Sequence, residues 1–228
     1  MAVITVARQI GSGGDRIAER VAETLGYEYV DRRLVAEIAG ITDTSVEEVD
    51  KFDEKGEGRI KHFLKRLLVP EMSRSGFPLS SAAYFPEFGL EFPYVMEREA
   101  VQAATYLDRG TYQLLITTLV QDFGETGRAV IVGRASQVIL ANHPEALHVK
   151  VVAPFKTRCE CLMAVRDVDL DNARELMEQH DRWRNLYLRN YYDAHWDDPL
   201  LYHLTINTGK MEIEDAVDLI VQYVVRKS

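Results

Sequence analysis

The sequence predicts an α/β fold in which helices cover both faces of a five-stranded parallel sheet. Five short apolar segments alternate with segments of helical periodicity, which is typical of sheets built from strand-helix-strand units. A glycine-rich loop joins the first strand to the first helix. The 228 residues are 46% hydrophobic and 28% charged, an ordinary globular composition. We therefore expect a single domain spanning residues 1–228.

The strands are predicted from short apolar runs that are too brief for helices. The runs read AVITVA, YEYV, AVIV, LHVKVV and HLTI. They correspond, in chain order, to residues 2–7, 27–30, 129–132, 147–152 and 203–206. Such runs are typical of parallel strands that are covered on both faces.

The helices are predicted from apolar residues that recur every three or four positions. In residues 15–25 these side chains share one face, and Gly26 is expected to end the helix. A helix at 111–123 is expected to end at Gly124 and Gly127. The other predicted helices are residues 32–39, 45–68, 135–141, 154–166, 170–192 and 213–226.

Residues 42–110 interrupt the alternation and are interpreted as a helical and irregular insertion. Within the insertion, residues 77–94 are rich in proline and aromatic side chains and show no clear period. Such a segment is an irregular surface excursion packed on its own aromatic side chains, a substrate cover or a dimer contact. A homodimer therefore stays open as one alternative.

The charge of the chain argues against one class of partner. With 27 Lys+Arg against 36 Asp+Glu, the formal net charge is −9, so we expect no polynucleotide partner. Arginine outnumbers lysine, and arginine suits bidentate contacts to phosphate, although a GC-rich coding sequence gives the same bias. No apolar run approaches about 18 residues, and no signal peptide is recognised, so we expect a cytoplasmic protein without a membrane partner.

The loop formed by Gly11, Ser12, Gly13 and Gly14 is the strongest functional signal. It lies where a helix begins, and the unpaired N–H groups and positive dipole of that end favour an anion. Glycines let the backbone approach phosphate oxygens without a Cβ clash. A plain glycine turn is the alternative, but the position directly after the first strand favours phosphate binding.

The loop departs from the strict phosphate-loop pattern of Gly, four residues, Gly-Lys, and Ser or Thr. That spacing places Arg8 at the first Gly, Gly13 at the second, Gly14 at the Lys and Asp15 at the hydroxyl position. The lysine that contacts the β- and γ-phosphates and the hydroxyl that ligates Mg²⁺ are therefore missing.

Nearby side chains are candidates for both missing roles. Arg8 or Arg16 is expected to supply the cationic charge, and Asp15 or Ser12 an oxygen ligand for Mg²⁺. A carboxylate in the loop would repel a triphosphate unless the metal ion is bound.

Three segments together resemble the cytidylate kinase-like family, a branch of the P-loop nucleoside monophosphate kinases. They read ITVARQIGSGGDRIAERVAETLGYEYVDRRL, AVIVGRASQVIL and DDPLLYHLTINTG, within residues 1–40 and 111–226. The resemblance implies a three-layer α/β/α P-loop kinase fold with an arginine-bearing lid helix. It also implies transfer of the γ-phosphoryl group of ATP, with Mg²⁺, to a nucleoside monophosphate such as CMP or dCMP.

The resemblance extends to the acceptor side, although it says little about the insertion 42–110, which we assign to that region. Asp31 matches an aspartate of the acceptor site, but two arginines replace the Ser/Thr-Gly that follows it in the family. Gly133 and Arg134 match the Gly-Arg that holds the monophosphate and its base, but Ala135 replaces the family's aspartate. That departure weakens the case for cytosine specificity.

The resemblance also implies a lid at about residues 167–192 and an adenine-side turn. Arg182 and Arg184 fit the family's arginine-rich lid pattern, although many acids in this helix make a solvated helix with i,i+4 pairs the alternative. Asn207 and Thr208 resemble the family's segment near the adenine of ATP.

Two functions are consistent with these residues. The first is a kinase whose partners are small nucleotide substrates, with Arg8, Asp15, Arg182 and Arg184 as its expected catalytic residues. The second is a catalytically impaired nucleotide-binding module with a regulatory or scaffold role. The missing lysine, hydroxyl and acceptor aspartate favour the module, and the retained arginines favour the kinase.

Overall fold

The computed structural model describes residues 2–31 and 109–227. The chain divides into two units, one formed by Met1–Asp31 with Phe123–Ser228 and the other by Arg32–Asp122. The helices predicted at 32–39 and 45–68, the aromatic segment 77–94 and most of the insertion 42–110 lie outside the described residues.

The described strands are β1 Val3–Arg8, β2 Glu28–Val30, β3 Ala129–Val132, β4 Ala146–Val152 and β5 Leu204–Asn207. The described helices are α1 Gly14–Leu25, α2 Arg109–Thr126, α3 Ser136–Ile139, α4 Phe155–Arg166, α5 Leu170–Tyr192 and α6 Ile213–Lys227. A 3₁₀ turn at Pro199–Leu201 precedes β5. The predicted bounds of β3 and α5 are confirmed, and the other described elements differ by a few residues at their ends.

The five strands form one parallel sheet in the order β2-β3-β1-β4-β5, which confirms the predicted sheet. β1 lies at the centre of the sheet, where it pairs with β3 on one side and with β4 on the other. The chain leaves β1 towards β2 and leaves β4 towards β5, so the two connections diverge between these neighbouring strands. In open α/β sheets the crevice at such a divergence is where ligands bind.

Helices α1 and α6 cover one face of the sheet. Ile4, Val6 and Val149 of the sheet form a cluster with Ile17 of α1 and Ile220 of α6, and all five are fully buried. Burying a side chain of this size stabilises the fold by about 1.5–3 kcal/mol. This cluster holds α1 in place, and α1 carries the first residues after the glycine loop.

The opposite face is covered by α3, α5 and the segment that precedes β5. Side chains alternate along a strand, so Ala7 faces away from Val6. Ala7 packs there with Ala135, Leu188 and Trp196. Helices therefore lie on both faces of the sheet, as the sequence predicts.

Two predicted glycine stops have different outcomes. Gly26, with φ 62°, ends α1 as expected. Gly124 does not end α2, because the helix continues to Thr126 and Gly127, with φ 66°, follows it. Gly124 serves packing instead, since a Cβ there would lie 2.7 Å from Cδ2 of Leu140. Among the helices of residues 2–31 and 109–227, none is both long and apolar enough to cross a membrane.

The helix predicted at 135–141 is shorter than expected. Ala135 has a φ of 54°, in the left-handed region, so α3 begins only at Ser136. The helix ends at Ile139, and Leu140 already departs from helical geometry, with φ −99° and ψ 18°. The left-handed residue before α3 therefore belongs to the turn that follows β3.

Candidate functional site

The glycine loop is a turn that is fastened to the end of β4. The N–H of Gln9 donates to the carbonyl of Val151 at 3.0 Å, and the N–H of Ala153 donates to Oε1 of Gln9 at 3.1 Å. The hydroxyl of Ser12 donates to the carbonyl of Gln9 at 2.7 Å, and Ser12 is 2% exposed. Ser12, predicted as a phosphate contact or metal ligand, thus lies inside the turn and closes it with its hydroxyl.

Glycine is required at Gly11 and favoured at Gly13 by backbone conformation. Both residues lie in the left-handed region, with φ 74° and 76°. A Cβ at Gly11 would lie 2.6 Å from the carbonyl oxygen of Arg158. The loop can therefore lie against α4 only because residue 11 has no side chain.

The first turn of α1 presents backbone N–H groups at the mouth of the loop. Gly13 is the N-cap of α1 and contributes no capping side chain. The N–H groups of the next residues precede the first intrahelical bond, which joins Ile17 N to Gly13 O at 3.1 Å. Together with the positive end of the helix dipole, they suit an anion.

Arg8 crosses the mouth of this loop. Its Nε donates to Oδ1 of Asp15 at 2.9 Å, and its side chain is 23% exposed. A Cβ built at Gly133 would lie 2.7 Å from Nη1 of Arg8. The guanidinium therefore lies between the first turn of α1 and the end of β3.

The other two predicted loop residues, Asp15 and Arg16, lie on the exposed side of α1. The Asp15 side chain is 62% exposed in the first turn of the helix. Arg16 is exposed at the next position. Both side chains are accessible to a ligand, and Asp15 is already in contact with Arg8.

The turn after β3 combines three left-handed residues. Gly133, Arg134 and Ala135 have φ values of 74°, 58° and 54°. The hydroxyl of Ser136 donates to the carbonyl of Gly133 at 2.7 Å and holds this turn. Left-handed backbone costs a non-glycine residue roughly 1–2 kcal/mol, and such strain clusters at functional sites. The predicted acceptor residue Arg134 thus directly follows the glycine that faces Arg8.

Asp31, the other predicted acceptor residue, follows β2 at the same end of the sheet. The pKa of Tyr29 is raised, first by burial and then by the carboxylates of Asp15 and Asp31, while Arg8 lowers it. The Tyr29 phenol therefore lies within electrostatic range of Arg8 at the end of β1, Asp15 at the start of α1 and Asp31 after β2. The structure brings these predicted donor and acceptor residues into one electrostatic neighbourhood.

The turn after β5 is joined to the glycine loop. The Thr208 hydroxyl donates to the carbonyl of Ser12 at 2.8 Å, and the Thr208 N–H donates to the carbonyl of Val152 at 3.0 Å. Oδ1 of Asn207 accepts from the N–H of Gly209 at 2.9 Å. The structure therefore brings the predicted adenine-side residues beside the loop.

A buried arginine that the sequence reasoning missed links α4 and α5 to the loop. Arg158 Nε donates to the carbonyl of Ile10 at 2.8 Å. Its two terminal nitrogens bind the carboxylate of Asp181 at 2.8 and 3.0 Å, and its side chain is 5% exposed. The available signal was an arginine in the first turn after β4, at the same sheet edge as the loop.

The two predicted lid arginines differ in their surroundings. Nη1 of Arg184 lies 3.4 Å from Oδ1 of Asp181, and the Arg184 side chain is 17% exposed. Arg184 therefore joins, through Asp181, the network that reaches the loop. Arg182 lies on the exposed side of α5. Asp181, which matches the lid pattern, is occupied by two arginines.

The carboxylate of Asp15 suits a magnesium ion whose other ligands are phosphate oxygens and water. Mg²⁺ is usually held by one or two carboxylates together with phosphate oxygens and water. The exposed carboxylate of Asp15 meets that requirement at the mouth of the loop. The described residues contain no group of three or more His, Cys, Asp or Glu that could hold a metal by themselves.

Comparison with one solved structure supports the fold. An uncharacterized protein from Eubacterium ventriosum ATCC 27560 superposes with a TM-score of 0.65 at 18% identity, over 99% of each chain. This likeness shows the fold alone. A shikimate kinase from Acinetobacter baumannii, in complex with shikimate, has a TM-score of 0.43 at 14% identity, over 100% of this chain and 95% of its own.

Comparison with known sequences identifies the family. A stretch of 98 residues is 33% identical to a uronate isomerase of Corynebacterium glutamicum, covering 43% of this chain and 19% of that protein. The match thus spans about a fifth of that relative's length. The model of the cytidylate kinase-like family matches residues 3–210, which include the glycine loop, the turn after β3 and the turn after β5. The chain therefore belongs to the cytidylate kinase-like family.

Proposed function

We propose that this protein binds ATP with Mg²⁺ and transfers the γ-phosphoryl group to a small acceptor, with a nucleoside monophosphate such as CMP or dCMP as the first candidate. The observation that carries the proposal is the convergence of Arg8, Asp15 and the turn after β3 at the carboxyl end of one parallel sheet. Membership of the family supports it.

On the donor side, the N–H groups at the start of α1 bind phosphate oxygens, and Arg8 adds a guanidinium beside them. Phosphoryl transfer requires mainly positioning and positive charge around the phosphates, and little covalent chemistry from the protein. The turn after β5 stabilises the loop, because the hydroxyl of Thr208 donates to the carbonyl of Ser12. Asn207 and Thr208 then border the nucleoside end of the donor.

On the acceptor side, Arg134 binds the phosphate of the monophosphate, and Asp31 accepts from hydroxyl or amino groups of the acceptor. The left-handed backbone of Arg134 sets the direction in which its side chain leaves the turn after β3. Mg²⁺, when bound at Asp15, would neutralise charge shared by the donor phosphates. Arg184 is the lid arginine that is already coupled to the loop, through Asp181 and Arg158.

A second candidate function is a nucleotide-binding regulatory or scaffold module without turnover. Two observations favour it. Arg8 and Asp15, both predicted as catalytic, bind each other. Ala135, 3% exposed, occupies the position where the family's acceptor site has a carboxylate.

A coupled assay of ADP release distinguishes the two functions. The purified chain is given MgATP with a panel of nucleoside monophosphates and other small hydroxyl-bearing acceptors. We expect turnover that is lost in Arg134→Ala. Arg20→Ala is the matched control, because Arg20 makes an exposed ion pair with Glu214 of α6. This variant should retain turnover.

The assay is read together with thermal unfolding in the presence of MgATP. A rise in Tm without turnover against any acceptor would favour the module. Absence of both turnover and a rise in Tm would contradict the kinase and the module alike.

A further inference from the structure

The space where a phosphate-loop lysine would begin is filled by the side chain of Arg8. A Cβ built at Gly14 would collide with Cβ of Arg8, and it would also lie 3.0 Å from Cγ of Arg8 and 3.1 Å from Cβ of Val151. The contact with Cβ of Arg8 is closer than Cβ atoms come to other atoms in proteins, and the other two contacts are tight. Residue 14 therefore carries no side chain because residue 8 does.

The far end of the same side chain is also fitted to a glycine. A Cβ at Gly133 would lie 2.7 Å from Nη1 of Arg8. Asp15 engages Nε at 2.9 Å, which fixes the guanidinium between α1 and the end of β3. The stem of Arg8 thus passes over Gly14, and its head reaches Gly133.

We propose that Arg8 supplies, from the end of β1, the cation that a lysine supplies from the start of the helix in the strict phosphate loop. The lysine has been transposed to position 8 as an arginine, and Gly14 and Gly133 provide the room it needs. This inference rests on the proposed function. It extends that function by assigning contacts with the β- and γ-phosphates of a nucleotide to Arg8 rather than to Arg16.

The chemistry of arginine suits this position. The guanidinium presents a planar fork that binds phosphate oxygens in pairs, whereas a lysine offers a single point charge. With Nε bound to Asp15, the fork is held in one orientation. Asp15 thereby acts as a positioning residue for Arg8 as well as the expected oxygen ligand of Mg²⁺.

The transposition predicts that the cation can be moved back. In Arg8→Gly/Gly14→Lys, the two contacts of residue 14 with the Arg8 stem are removed, only the 3.1 Å contact with Cβ of Val151 is kept, and a lysine begins at the standard position. Binding of MgATP to the full-length chain is measured by titration calorimetry in the wild type, R8A, R8K, G14K, the double variant R8G/G14K and the control R20A. Far-ultraviolet circular dichroism and Tm report folding of each.

We expect R8A to weaken MgATP binding about tenfold or more, since a charged hydrogen-bonding group is lost. Binding of AMP, which lacks the β- and γ-phosphates, should be weakened less by R8A. R8K should be intermediate, G14K alone should lower Tm without improving binding, and R8G/G14K should recover most of the lost affinity. R20A should bind as the wild type does.

The possible failures are distinguishable. A wild-type chain that binds no MgATP overturns the proposed function and this inference together. R8A that binds within threefold of the wild type overturns the inference alone. A loss in R8A that is equal for AMP, or that R8G/G14K does not recover, assigns Arg8 a structural role and also overturns the inference. If R8A does not fold, R8Q, which keeps the stem beside Gly14, replaces it in the same comparison.

Discussion

Gly11 shows how a single missing side chain determines the geometry of the loop. Its backbone is left-handed, and its Cα faces the carbonyl of Arg158. The same Arg158 donates to the carbonyl of Ile10, so the loop contacts α4 through both its backbone and a buried guanidinium. The sequence indicates a glycine here for access to phosphate, whereas the structure shows that contact with α4 also requires it.

We predict that Gly11→Ala destabilises the fold and weakens MgATP binding, and that Gly26→Ala does neither to the same degree. Both residues are left-handed, so both substitutions cost roughly 1–2 kcal/mol of backbone strain. At Gly26 a new Cβ would lie 4.0 Å from Nη2 of Arg128, whereas at Gly11 it would lie 2.6 Å from the carbonyl oxygen of Arg158. Chemical denaturation and calorimetry measure the two effects. Equal losses in both variants would show that contact with α4 does not matter.

Lys150 is a buried charge on the face of the sheet opposite α1. Its side chain is 8% exposed, and Nζ donates to Asp197 at 2.9 Å and to the carbonyl of Trp196 at 3.1 Å. The ammonium also lies 3.9 Å from the centre of the Trp196 ring. Because the Trp196 carbonyl also accepts from the hydroxyl of Tyr202 at 2.8 Å, it keeps a partner when Lys150 is removed.

We therefore predict that Lys150→Met changes the free energy of unfolding by less than about 1 kcal/mol. Replacing a buried charge by an apolar side chain of similar volume is often neutral, and Asp197, 73% exposed, is hydrated once its partner is gone. Lys150→Ala should cost about 2 kcal/mol or more, because it also removes the stem that packs on Trp196. Urea denaturation compares the pair. A large loss in Lys150→Met would show that the charge itself stabilises the fold.

At the scale of elements, the sequence predicts the described strands and helices well where a hydrophobic period is interrupted by glycine or proline. It fails at Gly124, where glycine serves packing against Leu140 and not helix termination. It also misses Arg158, since a single arginine in a helix carries no motif until the fold places it beside Ile10 and Asp181. Contacts between residues distant in sequence are what the local pattern does not contain.

Helices α4 and α5 are fastened to each other by the Arg158–Asp181 pair, and the two partners are not equivalent. Arg158 is 5% exposed, whereas Asp181 is 30% exposed and also contacts Arg184 at 3.4 Å. Removing the carboxylate leaves a buried guanidinium without its counter-ion. Removing the guanidinium leaves a partly hydrated carboxylate with a second arginine beside it.

We predict that Asp181→Ala costs about 3–5 kcal/mol of unfolding free energy, and that Arg158→Met costs less. Arg158→Met also removes the hydrogen bond to the carbonyl of Ile10 in the loop. We therefore expect this variant to weaken MgATP binding in addition to lowering stability. Asp181→Asn keeps an acceptor for the guanidinium, so its loss of unfolding free energy should lie between those of Asp181→Ala and Arg158→Met. Denaturation curves and nucleotide titrations provide both readouts. A larger stability loss in Arg158→Met than in Asp181→Ala would contradict this assignment of the buried partner.

At the scale of the whole molecule, the net charge of −9 and the proposed anion site are compatible, because the arginines at the sheet edge supply charge locally. Parts of that edge follow from sequence alone, since parallel strands place their carboxyl ends together. The close packing of the Arg8 side chain against Gly14 does not follow from sequence alone, because it depends on the direction of a side chain at the end of β1. The sheet also contains a group whose titration affects the stability of the entire unit.

That group is His148, in the middle of β4 and 4% exposed. Its Nδ1 lies 2.8 Å from the hydroxyl of Thr5 on β1, and its backbone N–H donates to Nδ1 of His203 at 2.9 Å. Burial first, and His203 second, lower the pKa of His148 from 6.5 to about 4. The pKa of His203 is also lowered, by burial and by Lys227.

We predict that the free energy of unfolding falls as pH decreases from 6.5 to about 4, because the unfolded chain binds a proton that the folded His148 rejects. Above that window both states are neutral at this residue, so its contribution is constant there. The full loss is on the order of 3 kcal/mol. Urea denaturation at a series of pH values measures it, with His148→Gln expected to flatten the slope and the exposed His195→Gln to leave it unchanged. An unchanged slope in His148→Gln would assign the acid lability to carboxylates elsewhere in the chain.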